Sequence, residues 1–184
     1  MESDKAWKRP ARAKRFVIYV SAPSCAGKST LTAALAKRMP DLYTVSYDKL
    51  KWQLSGYHRG KHKGLIRELT IGLLEVVCRT HIPVLLDLFL KDEAEYLHCG
   101  KIAKRYGYGF VTIKLTAPKS VLVQRFRERV ANAKKTGTKI SVTDEDLFVK
   151  NLSTHSFAPA DAPLFDTSIT DADYIADKIL RELV

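Results

Sequence analysis

No stretch of this sequence approaches the ~20 consecutive apolar residues that a membrane-crossing helix needs, which argues against an integral membrane protein. The first fourteen residues are basic but hold no apolar core segment, so they do not read as a secretory signal. Cysteine is scarce and odd in number: Cys25, Cys78 and Cys99, with no CxxC spacing. That pattern disfavours both a disulfide framework and a cysteine-ligated zinc site, and a reducing compartment, the cytoplasm, is expected. No internal repeat, second domain or low-complexity linker is evident.

What is present suffices for one folded domain. The 184 residues are 46% hydrophobic and 28% charged, enough to bury a core. The expected division is a basic tail over residues 1–14 and a single domain over 15–184. The formal net charge is +11, with Lys5, Lys8, Arg9, Arg12, Lys14 and Arg15 set against only Glu2 and Asp4 at the start. Such a surplus attracts anionic partners, whether nucleic acid, membrane phosphates or phosphorylated small molecules.

Strand and helix patterns alternate along the chain. Residues 16–20 (FVIYV) form a short apolar run of the kind buried on both faces of a parallel sheet. A helix is predicted over 28–39, stopped by Pro40, and a second strand over 43–47. Residues 55–64 read as a loop rich in glycine and cations. A helix over 65–79 is expected to bury Leu65, Leu69, Leu73, Val76 and Val77 on one stripe. A strand over 84–88, a helix over 92–105 and a strand over 110–115 follow. Pro118 sits where a first-turn proline is tolerated, opening a helix to about Val130. Residues 131–141 then read as a basic loop, and Thr143 with Asp146 as the cap of a helix to about Ser153. A strand over 164–168 and a terminal helix opened by Thr170 complete a parallel α/β pattern.

The most informative segment is Ala22-Pro23-Ser24-Cys25-Ala26-Gly27-Lys28-Ser29, followed by Thr30. It matches GxxxxGK[ST] except that Ala22 replaces the first glycine, and it lies between a predicted strand and helix, the context this motif requires. The chemistry explains the residue types. Gly27 lets the backbone wrap a phosphate, and successive N–H groups of Ser24 to Thr30 at a helix start stabilise negative charge. Lys28 reaches the β- and γ-phosphates and Ser29 offers a hydroxyl to Mg²⁺.

Asp48 follows the second strand, which places it at the sheet edge where ligands bind in such folds. There it can take a proton from a substrate hydroxyl, or simply cap a helix. Asp87 ends another apolar run, a Walker-B-like position for Mg²⁺. Arg125 and Arg129 are four apart on one helix face and are suited to a γ-phosphate lid. Lys49, Lys51, Arg59, Lys61, Lys63 and Arg67 occur with no acid between Asp48 and Glu68, and Tyr57, His58 and His62 lie among them. From this run Lys51, Arg59 and Arg67 are the candidate contacts for a phosphate-bearing acceptor, with aromatic rings available to stack on a base. A flexible solvated loop is the alternative reading.

Together these residues resemble the small P-loop kinases of the nucleoside/nucleotide-kinase superfamily. Within it the chain looks most like the group of polynucleotide 5′-kinases, zeta toxins and chloramphenicol phosphotransferase-like enzymes. Tyr47-Asp48, Tyr106-Gly107-Tyr108, Leu115-Thr116-Ala117-Pro118 and Phe165-Asp166-Thr167-Ser168 add to the cradle in the right order. The resemblance implies a five-stranded parallel sheet of order 2-3-1-4-5 and ATP with Mg²⁺ as phosphoryl donor. It matches Asp48 to the base, Lys28 to the phosphate lysine, Ser29 to the metal ligand, and Arg125 and Arg129 to lid arginines. Asp48-Lys49-Leu50-Lys51 is similar to the DxxR of polynucleotide kinases, with lysine in place of the bidentate arginine. The expected activity is transfer of the ATP γ-phosphate to a hydroxyl of a nucleoside, nucleotide or nucleic-acid 5′ end. A small-molecule phosphotransferase and a nucleotide-dependent switch are the alternatives.

Overall fold

The computed structural model describes residues 15–154 and 156–182; the basic tail expected at 1–14 and His155 lie outside them. β1 (Phe16–Ser21) leads through a tight loop into α1 (Lys28–Arg38), then β2 (Tyr43–Ser46), α2 (Tyr47–Gln53) and α3 (Arg59–Thr80). β3 (Val84–Asp87), α4 (Glu93–Arg105), β4 (Gly109–Thr116) and α5 (Lys119–Thr136) follow. α6 (Glu145–Asn151), β5 (Leu164–Asp166) and α7 (Ala172–Glu182) end the chain. The strands form one parallel sheet in the order β2-β3-β1-β4-β5, as the sequence led one to expect.

The centre of the sheet is β1, and its alternation divides the core. Phe16, Ile18 and Val20 belong to a cluster with Leu31 and Leu35 of α1, Phe126 of α5 and Ile175 and Ile179 of α7. Val17 and Tyr19 point the other way, into a cluster with Leu74 and Val77 of α3 and Cys99 and Ile102 of α4. A strand buried on both faces must be apolar at every position, which is why residues 16–20 carry no polar alternation.

Several boundaries differ from expectation, each for a local reason. α2 is a helix where the second strand was expected to end and no element was assigned; Ser46 caps it, its Oγ accepting from the Lys49 N–H at 3.4 Å. α3 starts at Arg59, inside the segment read as a loop, because the His58 N–H donates to His62 Nδ1 at 2.9 Å and supports the first turn despite Gly60 and Gly64. α5 runs past Val130 to Thr136 and ends at Gly137, whose φ of 68° is the left-handed closure glycine supplies. Pro118 is the residue before that helix rather than inside it. The cap of α6 is Asp144, which accepts from the Leu147 N–H at 2.7 Å, not Thr143 or Asp146. On α3 the buried face is Ile66, Thr70, Leu74, Val77 and Cys78, while Leu65, Leu69 and Val76 are about half exposed. Of the expected stripe Val77 is buried and Leu73 half-buried, while the other three positions face outward: apolar residues occupy both faces, and periodicity alone did not say which meets the sheet.

Candidate active site

A cleft of about 610 Å³ opens at the C-terminal ends of β1, β2 and β3. Such a crevice is the usual ligand position in parallel α/β sheets. Its floor is the loop between β1 and α1. Cys25 (φ 66°) and Gly27 (φ 88°) both take left-handed conformations there, so the chain curls back on itself and the Ala26 N–H bonds the Pro23 carbonyl at 3.3 Å. Ala22 has no positive φ, so the backbone does not require glycine at that position, and the departure from the motif is structurally tolerated. Gly27 caps α1 with no side-chain hydrogen bond, and no acid lies in the helix's first turn. The unpaired N–H groups of a helix start, with their partial positive charge, are thereby left to a ligand anion.

Ser24, Cys25, Gly27, Lys28, Ser29 and Thr30 all line the cleft, whereas Ala26 turns into the core at 1% exposure. Lys28 Nζ stands 3.5 Å from Asp87 Oδ1. The other carboxylate oxygen of Asp87 accepts a 2.9 Å hydrogen bond from Ser46 Oγ. Adjacent strands explain this: Ser46 and Asp87 are register partners across the β2–β3 pair. Ser46 therefore fixes Asp87 while also capping α2, a double role that nothing in the sequence singled out.

Asp48 lines the cleft from the first turn of α2, with its side chain 61% exposed. Its carboxylate is bonded by the Lys51 ammonium one helical turn on. Nearby, the Tyr47 and Tyr57 hydroxyls lie 3.0 Å apart, and burial, followed by that contact and Asp48, pushes the Tyr47 phenol upward.

Arg125 and Arg129 reach the cleft from α5, the helix on which the sequence placed them. Arg125 donates to the Thr167 carbonyl at 2.8 Å, to Thr167 Oγ1 at 2.9 Å and to the Cys25 carbonyl at 3.4 Å. Thr167 in turn donates to the Thr116 carbonyl and stands beside Gly27. Thr167 thus joins β4, the turn after β5, α5 and the β1–α1 loop; the sequence marked it only as part of the closing segment 165–168, not for this convergence. Burial raises the Cys25 thiol above its ordinary range, and the positive charges of Arg129 and Arg125 oppose the shift in part.

The expected acceptor cations are not gathered in the cleft. Lys51 is buried at 5% exposure. Arg67 of α3 is engaged by the Glu95 carboxylate of α4 and the Phe89 carbonyl, so its guanidinium serves to join elements. Arg59 is exposed at the start of α3, outside the cleft lining.

The chain belongs to the AAA domain family AAA_33, whose profile matches residues 17–147, from β1 into α6. No curated protein matches it by sequence. Among solved structures, a candidate kinase from Chloroflexus aurantiacus superposes with a TM-score of 0.68 and 20% identity, over 92% of this chain and 96% of its own. The APS kinase CysC of Mycobacterium tuberculosis, solved with AMPPNP and APS, gives 0.61 at 13% identity over 92% and 98%. A gluconokinase from Sinorhizobium meliloti gives 0.58 at 19% over 92% and 91%. The shared property is the P-loop kinase fold; none of these three names carries the narrower resemblance to polynucleotide kinases and zeta toxins. Among the described residues no helix is long and apolar enough to cross a membrane.

Proposed function

We propose that this protein is an ATP-dependent kinase that transfers the γ-phosphate to a hydroxyl acceptor. The observation that carries the proposal is the convergence of Lys28, Asp87, Asp48 and the two α5 arginines on one cleft at the strand ends. A nucleotide-dependent switch needs a phosphate cradle but neither an exposed carboxylate beside it nor a second bank of cations.

The first-turn N–H groups of α1 and the loop from Ser24 to Thr30 hold the phosphates, and Lys28 offsets charge that grows on the transferring group. Asp48 orients the acceptor hydroxyl in line with the γ-phosphate and takes its proton. Arg129, exposed on α5, meets the γ-phosphate oxygens, while Arg125 holds the cradle against Thr167. Ser29 and Asp87 are hard oxygen donors at the cradle mouth. Among the described residues no group of three or more His, Cys, Asp or Glu forms a metal cage. That donor set fits Mg²⁺, which is usually held by one or two protein oxygens plus phosphates and water. Bound there, Mg²⁺ supplies charge neutralisation and alignment of the phosphate chain.

For the acceptor, a nucleoside, nucleotide or nucleic-acid 5′ end fits the exposed cations Lys49, Arg59, Lys61 and Lys63 around α2 and the start of α3. A second reading, a small neutral hydroxyl compound, is favoured by the internal pairing of Lys51 and Arg67. Transfer of labelled γ-phosphate from ATP to a panel of RNA and DNA 5′ ends, nucleosides, nucleotides, sugars and amino-alcohol antibiotics separates the two. Lys28→Ala serves as the control, with transfer reduced by about 10²-fold or more. A Lys28→Ala protein that transfers at the wild-type rate overturns the site.

A further inference from the structure

Lysine is among the residues most rarely buried, because its ammonium sheds water reluctantly and its long stem normally carries it to the surface. Lys51 breaks that habit within one turn of the proposed base. Its side chain is 6% exposed, and its ammonium bonds Asp48 Oδ1 and lies 2.6 Å from Ser141 Oγ. The same ammonium stands 4.9 Å from the Trp52 ring centroid and 5.9 Å from that of Tyr47. An ammonium has three donors; a carboxylate, a hydroxyl and two ring faces surround it here. A buried charge is tolerated only when so paired. An acceptor anion approaching Lys51 would have to displace Asp48, the group that the reaction needs beside the acceptor.

We propose that Lys51 is a positioning residue that fixes the Asp48 carboxylate at the cleft and latches the α5–α6 connector, rather than an anchor for an acceptor phosphate. The role in transfer rests on the kinase reading above; the latch does not. The sequence arranges it simply. Asp48 and Lys51 are three apart on α2 and share a face, and Ser46 holds the start of that helix to Asp87. Asp48 is largely exposed, so without a partner its carboxylate has several rotamers open to it; the Lys51 contact selects one. Ser141 lies in the segment between α5, which carries Arg125 and Arg129, and α6. One ammonium therefore ties the acceptor wall of the cleft to the far end of the arginine helix.

The test uses the full chain, with Lys51→Met, Lys51→Arg, Ser141→Ala and Asp48→Asn. Methionine keeps the length and apolar stem of lysine and strands no buried charge, since Asp48 faces water; Ser141→Ala gives a second route should Lys51→Met fold poorly. Trypsin cleavage after Lys139, in the connector, is expected to quicken severalfold in Lys51→Met and Ser141→Ala. In a Trp7→Phe background, leaving Trp52 as the reporter, the emission spectrum shifts in Lys51→Met and Asp48→Asn. With the best acceptor of the panel, Lys51→Met lowers kcat by about 10²-fold, the scale of a small misplacement of a reacting group, and leaves both KM values within about threefold. Lys51→Arg, which keeps the charge, recovers part of the rate. A raised acceptor KM with kcat unchanged makes Lys51 an anchor and overturns the proposal. So do unchanged connector cleavage and unchanged Trp52 emission in Lys51→Met. Should the wild-type protein phosphorylate nothing, the kinase reading fails on its own, and the cleavage and emission results still decide whether Lys51 joins Asp48 to Ser141.

Discussion

Asp48 and Asp87 stand at the ends of neighbouring strands, and their surroundings give them different work. Asp87 is held by Ser46 on one oxygen and faced by Lys28 on the other. Asp48 is exposed and turned toward the open cleft. In single-turnover assays Asp48→Asn is expected to lower transfer by about 10²–10⁴-fold with ATP affinity nearly intact, because an amide cannot accept the hydroxyl proton. Asp87→Asn instead raises the Mg²⁺ concentration needed for half-maximal rate. Normal transfer by Asp48→Asn puts the base elsewhere. Cys25 offers an independent probe of the cradle. Its thiol titrates above the ordinary range because of burial, so less thiolate is present at neutral pH than for a free cysteine. Alkylation is therefore slow at pH 7 and accelerates as pH rises through the thiol range. Saturating ATP suppresses it, and equal labelling with and without ATP counts against phosphate binding at this loop.

The two arginines of α5 share a helix face but not their surroundings. Arg125 is fastened to Thr167 and the Cys25 carbonyl, whereas Arg129 is exposed at the cleft. Arg125→Ala removes a strut of the β1–α1 loop and is expected to weaken ATP binding and lower Tm. Arg129→Ala lowers kcat while ATP affinity changes little, since its charge is met chiefly in the transition state. Matching losses in both variants refute the division. α3 allows a parallel test of which face packs. Leu74→Ala, at 0% exposure, is expected to cost about 2–5 kcal/mol in urea unfolding, and Leu69→Ala, at 50% exposure, much less. Reversal of that order places the helix the other way round on the sheet.

Across the molecule, the loop after α6 is drawn back over the strand ends by the central strand itself. The Tyr19 hydroxyl bonds Ser156 Oγ and the Phe157 carbonyl, Ser21 Oγ donates to the Ser156 carbonyl, and Ser156 Oγ accepts from the Leu90 N–H. β1, the segment after β3 and the approach to β5 are thereby joined. Burial raises the Tyr19 phenol, which stays neutral and able to donate. Tyr19→Phe leaves the carbonyl of Phe157 short of a donor and is expected to cost about 1–2 kcal/mol in chemical denaturation, with nucleotide binding retained. An unchanged midpoint shows that the loop is held by other contacts.

The parallel sheet and the phosphate loop were legible in the primary structure because both rest on local rules. Residues 16–20 are apolar at every position, as a doubly covered strand must be, and Gly27-Lys28-Ser29 combines a left-handed turn with a helix start. Asp48 and Asp87 followed from their places after strands. The helix starts at Tyr47 and Arg59 were missed, since they depend on single capping contacts by Ser46 and His62 rather than on periodicity. The side of α3 that packs was read only in part, at Val77 and Leu73, because leucine and valine occupy both faces and the choice falls to the sheet it meets. The long-range contacts of Lys51 with Ser141, Arg67 with Glu95 and Thr167 with Arg125 lay beyond any pattern in the chain. Ser141, Glu95 and Arg125 are distant in sequence from these residues, although the Asp48 contact of Lys51 is local, and a cation looks the same in a string of letters whether it waits for a substrate or is already paired. That pairing is a property of the packed fold, where desolvation forces each buried charge to find its partner.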